Sequence, residues 1–173
     1  MASRRFSASS SSIPGPRLST YRPFLDRATF ALSLAGLLVV GHLGLQAARG
    51  FAGGCGGFDP NALVEAPSGC ASALASTYAT FLGVSNVVWG LAFYAALAIL
   101  SFLVVAAPER LPALKKARGI LLTVGFLYAL YLSFVLLSGR SGGLCVLCLT
   151  SHGITAALFA LFVADFNSNP ARP

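Results

Sequence analysis

Four stretches of this 173-residue chain, residues 28–47, 87–106, 119–138 and 144–164, contain no Lys, Arg, Asp or Glu. Each is long enough to cross a hydrocarbon layer about 30 Å thick, which needs roughly 20 apolar residues in a helix. Lipid offers no partner to a backbone N–H or C=O, so such a stretch must satisfy its own backbone as a helix. The expected fold is therefore an all-α integral membrane protein, a four-transmembrane-helix bundle. Composition agrees, with 56% hydrophobic and 10% charged residues and a mean hydropathy of +0.78. Soluble domains carry about 25% charged residues, and a chain this short and apolar could not hide its surface in one water-soluble core. Membrane lipid is thus a necessary partner.

The charges orient the bundle. Arg4, Arg5, Arg17, Arg22 and Arg27 precede the first stretch, and Arg110, Lys115, Lys116 and Arg118 lie in or beside the connection between the second and third. With Arg172 at the C-terminal end, these ten of the twelve basic residues share one side, and only Arg49 and Arg140 fall on the other. The positive-inside rule then predicts cytoplasmic termini and external loops over 48–86 and 139–143. The net charge of +7 lies in tails and loops rather than on a basic stripe, so no nucleic-acid partner is expected. The expected organisation is a disordered cytoplasmic tail over 1–27, a membrane domain over 28–164 and a cytoplasmic tail over 165–173. The first stretch is too long, and starts too late, for a cleaved signal peptide. The Ser- and Arg-rich residues 1–27 also share the composition of an organelle transit peptide, which makes an organelle membrane the alternative location.

All four cysteines fall on the external side. Cys55 and Cys70 lie in the long loop, and Cys145 and Cys148 open the fourth stretch as Cys145-Val146-Leu147-Cys148. That side is the oxidising one, where disulfides persist. A CxxC at a helix start can close a disulfide across one turn, and the helix N-terminus lowers a thiol's pKa. Gly142 and Gly143 suit the tight turn leading into it. The competing reading is two inert buried cysteines. A c-type haem site is disfavoured because Leu149 rather than His follows Cys148. For Cys55 and Cys70 a structural staple and a redox relay both stand. Gly53, Gly54, Gly56 and Gly57 give Cys55 a freedom that a staple does not require, and a second pair beside a CxxC permits exchange through mixed disulfides. No metal site is expected. Between the pair, Asp59-Pro60-Asn61 predicts a short helix over 61–66, and another is expected over 71–78 with Leu74 and Tyr78 on one face. Such helices could lie on the membrane surface and cover a pocket between the spans.

The run from Cys70 through Ser76, Tyr78 and Ala79, then Gly83-Val84-Ser85-Asn86, Gly90 and Tyr94, resembles the vitamin K epoxide reductase family. Cys145-Val-Leu-Cys148-Leu-Thr-Ser-His152 does so too, and the likeness covers about residues 55–152. It implies a loop pair, Cys55 and Cys70, that takes electrons from a separate thioredoxin-fold protein of the DsbA type. It implies that Cys145 receives them and that Cys148 faces a membrane quinone of the ubiquinone or menaquinone class. Ser76 matches the family's loop-helix serine, and Asn86 a position where asparagine can bond a quinone carbonyl. The expected activity is thus quinone-dependent thiol oxidation supporting disulfide formation, in a bacterial inner membrane with the cysteines facing the periplasm.

Three features depart from that pattern. Fourteen residues (56–69) separate Cys55 from Cys70, a longer gap than the family's. His152 replaces the tyrosine of the vitamin K-cycle enzymes, which points away from epoxide chemistry. No thioredoxin-like domain follows the fourth stretch. His152, one turn beyond Cys148 on the same face, is a candidate hydrogen-bond or proton donor to the quinone. His42 is a weaker candidate. Trp89 is expected to pack or anchor at the interface, and Tyr128 and Tyr131 to pack between helices. The alternatives are a quinone or vitamin K epoxide reductase and a non-catalytic membrane scaffold with a stapled loop.

Overall fold

The computed structural model describes residues 21–51, 55, 69–106 and 111–167. Four long helices dominate: α1 (Tyr21–Ala48), α3 (Asn86–Ala106), α4 (Leu111–Leu137) and α5 (Val146–Asn167). Each is apolar enough to cross a membrane. The short α2 (Gly69–Ala75), a 3₁₀ turn (Thr77–Ala79) and a two-stranded hairpin, β1 (Thr80–Phe81) and β2 (Val84–Ser85), lie between α1 and α3. At about 1.5 Å per residue, the 21 residues of α3 span about 31 Å, the thickness of a bilayer's hydrocarbon core.

The packing closes a ring, in which α1 packs on α3 and α5, and α4 on α3 and α5. The outward faces are as apolar as the inward ones: Leu38, Phe102, Val124, Leu127 and Phe134 are all exposed. A helix that is apolar all round belongs in lipid, and here lipid replaces water as the solvent of those side chains. The centre of the bundle is a buried layer of Val40, Tyr94, Leu97, Leu122 and Leu158. Close approach there depends on Gly36, where a Cβ would collide with the ring of Tyr94.

The two ends of the bundle differ. At one, Arg118 of α4 donates to Asp26 of α1 at 2.9 Å, and Lys115 bridges Asp26 at 4.0 Å and Asp165 of α5 at 3.5 Å. Asp26, Lys115, Arg118 and Asp165, which sequence placed in a tail or in or beside a loop, are therefore helical. Helix α1 starts seven residues before the expected 28, at Tyr21, because Asp26 finds its partners across the bundle rather than in water.

At the other end α1 stops at a glycine-terminated cap. Gly50 has φ +64°, its N–H reaches Ala47 O at 3.1 Å, and the Phe51 N–H reaches Gln46 O at 2.9 Å. This is the paired-bond pattern of a Schellman motif, and it folds Phe51 back onto Leu43 in one buried cluster. The helix expected over 71–78 is divided at Ser76, whose backbone is extended (φ −70°, ψ 158°). The Ser76 hydroxyl donates to Ala73 O at 2.7 Å, giving that carbonyl a partner outside the helical ladder. The helix expected over 61–66, and the tails over 1–20 and 168–173, lie outside the described residues.

Candidate active site

The cysteine pairs are Cys55–Cys70, with Cα atoms 5.5 Å apart, and Cys145–Cys148, at 5.2 Å. Both separations suit a disulfide. Cys70 and Cys145 are fully buried in one apolar cluster with Leu43, Phe51, Ala73 and Leu136, and Cys55 and Cys148 pack against it. What brings the pairs together is the absence of side chains at two positions. A Cβ on Gly143 would lie 2.9 Å from Gly69 Cα, so the start of α2 rests directly on the backbone leading into α5.

Cys145 precedes the first residue of α5, in the N-cap place. Its sulfur accepts the Cys148 N–H at 3.2 Å, and its carbonyl accepts the Leu149 N–H at 3.0 Å. A sulfur here does the work that Ser or Asp oxygen does in most caps. The Cys55 sulfur similarly accepts the Cys70 N–H at 3.2 Å. In each pair one sulfur already sits against a backbone donor, the arrangement that favours thiolate over thiol once the bond opens.

Beside these pairs lies a cavity of about 530 Å³. Apolar side chains of α1, α3 and α4 form most of its wall, and Cys148, Ser76, Asn86, His152 and Tyr128 are among the residues that bring polar groups to it. Cys145 and the loop pair are not on that wall. The volume and the mostly apolar lining with sparse polar atoms fit a flat, lipid-soluble ring compound. His152 Nδ1 lies 2.9 Å from Ser133 Oγ on α4. Asn86 donates from Nδ2 to Tyr78 O at 2.7 Å and accepts at Oδ1 from the Tyr128 hydroxyl at 2.8 Å. The Tyr94 hydroxyl lies 2.6 Å from Ser151 O and 2.8 Å from Thr155 Oγ1, so this interior phenol is satisfied within the bundle.

Two residues with a place in this network were not foreseen. Tyr128 was expected only to pack, and it also holds a polar group of the cavity. Ser133 carried no signal, since nothing links it to His152 until α4 and α5 pair. Trp89 lines the cavity and donates from Nε1 to Phe81 O at 3.1 Å. His42 is not on the cavity wall. Among the described residues no group of three or more His, Cys, Asp or Glu side chains gathers as a metal site would require.

The family model described as "Vitamin K epoxide reductase family" matches residues 27–163. No curated protein and no solved structure matches the chain.

Proposed function

Because this chain belongs to the vitamin K epoxide reductase family, an oxidoreductase family of membrane proteins, we propose that it oxidises a periplasmic thioredoxin-fold protein and passes the electrons to a membrane quinone. The observation that carries this reading is the position of Cys148, which belongs at once to a disulfide and to the wall of the apolar cavity.

The exchange balances without any further reactant. A partner thiolate attacks the Cys55–Cys70 disulfide, and the partner's second thiol resolves the mixed disulfide, leaving the partner oxidised and the loop pair as two thiols. A loop thiolate then attacks Cys145, Cys148 leaves as a thiolate, and the second loop thiol resolves the mixed disulfide, restoring Cys55–Cys70 and leaving Cys145 and Cys148 reduced. The N-terminus of α5, in whose first turn Cys148 lies, favours negative charge on Cys148, and the Cys148 N–H at 3.2 Å from Cys145 Sγ favours it on Cys145 once that sulfur is released. When bound, a quinone supplies a two-electron, two-proton acceptor. Re-forming Cys145–Cys148 releases those two electrons, and the two protons balance those given up by the partner's thiols. His152 and Asn86 offer hydrogen bonds to the ring oxygens, and the apolar wall keeps water from the thiolate. Ser76, which divides the cap segment and lines the cavity, shapes the roof of the site.

The test is a quinone-coupled assay of reduced partner protein with each cysteine replaced in turn by Ala. Loss of partner oxidation in all four variants is expected. Full activity with protein substrate in Cys55→Ala or Cys70→Ala would show that the loop pair is only a staple. Supplying vitamin K epoxide with a dithiol, and detecting no quinone product, separates this reading from epoxide reduction.

A further inference from the structure

The hydrogen bonds of Asn86 hold its amide at both ends. The Tyr78 carbonyl can only accept, so it must face Nδ2, which it does at 2.7 Å. That leaves Oδ1 toward α4, where the Tyr128 hydroxyl meets it as a donor at 2.8 Å. Tyr128 is itself fixed, its ring 5.5 Å from that of Phe81 and 6.3 Å from that of Tyr131. Tyr78, Asn86 and Tyr128 all border the cavity. One hydrogen on Nδ2 remains for a ligand, while a phenol from the cavity wall already serves Oδ1.

We propose that Tyr128 is a positioning residue that, by occupying Oδ1 of an amide already oriented by the Tyr78 carbonyl, leaves Asn86 to meet the bound ring chiefly as a donor, so that the site favours the quinone over the quinol. The inference rests on the quinone reading above and deepens it. A quinone oxygen accepts only, and matches the remaining N–H. A quinol hydroxyl also carries a hydrogen to donate, and on this amide Oδ1 already accepts from Tyr128, which leaves it one lone pair instead of two. The product therefore leaves a site tuned to the substrate. Without the Tyr128 hydroxyl, both lone pairs of Oδ1 are open to the quinol, and discrimination falls.

The measurement is binding rather than turnover. Trp89 is the chain's single tryptophan and lines the cavity, so quenching of its fluorescence reports occupancy. Full-length oxidised protein is titrated with decyl-ubiquinone, and then with its quinol as competitor, in the absence of dithiol. Tyr128→Phe should reduce the quinol-to-quinone ratio of dissociation constants about fivefold, the worth of one neutral hydrogen bond. In the Asn86→Leu background the same replacement should leave the ratio unchanged, since Tyr128 acts through the amide. Tyr131→Phe, which removes a neighbouring ring hydroxyl, should also leave it at the wild-type value. An unchanged ratio in Tyr128→Phe, or both ligands weakened together, would mean that Tyr128 only packs, and so would an equal shift in the Asn86→Leu background. Wild-type protein that decyl-ubiquinone does not quench would instead overturn the quinone reading itself.

Discussion

The two ends of this bundle solve the same problem, polar chemistry buried among apolar helices, with opposite materials. At the cysteine end, two disulfides and a cavity are surrounded by weak, single hydrogen bonds. At the charged end, Arg118, Lys115, Asp26 and Asp165 tie α1, α4 and α5 together by ion pairs. On the proposed function the disulfides at the first end open and re-form, so they cannot be what holds the helices in register throughout. The ion pairs at the second end are untouched by any redox step. On that reading the bundle is braced away from the exchange and left adjustable where the exchange takes place.

The sharpest break in this comparison comes from removing Cys148. Its Ala variant should lose quinone-coupled oxidation down to the uncatalysed background, because among the described residues no other sulfur lies on the cavity wall. Its melting temperature in detergent should move little, since one sulfur is lost and the ion pairs remain. A large fall in melting temperature would mean that the cysteine end is itself a brace.

The converse change belongs to the charged end. Arg118 is only 3% exposed, and among the described residues its Nε and Nη1 have no hydrogen-bond partner, so Asp26 is its main compensation there. Asp26→Ala should cost about 3–5 kcal/mol, the usual penalty for leaving a buried charge alone. Replacing both, as Asp26→Ala with Arg118→Met, should recover most of that loss. Thermal melts together with activity per folded molecule at low temperature check both statements. If Asp26→Ala melts normally but loses turnover, the charged end takes part in function and the division of labour fails.

How much of this was legible in the sequence follows the range of the interactions. The four helices were, because each satisfies its own backbone within about twenty contiguous residues. The CxxC was, because its geometry is local to one helix start. The ion pairs were not: Asp26 and Arg118 are 92 positions apart, and hydropathy assigns both to the flanks of apolar segments. The break at Ser76 was hidden for another reason, since helix periodicity continues through it and only the hydroxyl's competition for the Ala73 carbonyl ends the helix. Tyr128 and Ser133 sit in a stretch whose apolar pattern reads as packing on every face, and their partners come from α3 and α5.

A smaller effect tests packing at the boundary between the two ends. Gly36→Ala places a methyl group into the ring of Tyr94, which is buried and bonded on its far side to α5. Overpacking of this kind costs about 1–3 kcal/mol, and the ring can yield only by giving up its bonds to Ser151 and Thr155. Adding Tyr94→Phe to Gly36→Ala should then cost less than Tyr94→Phe alone, because the bonds it removes are already strained or gone. Thermal melts of the two single variants and the double variant measure that coupling. Simple additivity would mean that the helices part instead of the ring moving.

The smallest expected change is at Ser133. Its hydroxyl is 2.9 Å from His152 Nδ1, and whichever of the two donates, that contact fixes the ring's orientation beside the cavity. Removing it with Ser133→Ala deletes one hydrogen bond, about 1 kcal/mol, and leaves the imidazole free to turn. If Ser133 donates to Nδ1, then Nε2 carries the proton and serves as the donor to a ring oxygen. Turnover at saturating quinone should then fall a fewfold while the melting temperature stays within a degree or two. Ser133→Thr keeps the hydroxyl and should restore the rate, whereas a variant that only relieved packing would not distinguish Ala from Thr in this way. A loss as large as that of Cys148→Ala would place His152 among the groups that the reaction cannot do without. No change at all would remove it from the site, leaving Asn86 as the polar group that meets the quinone.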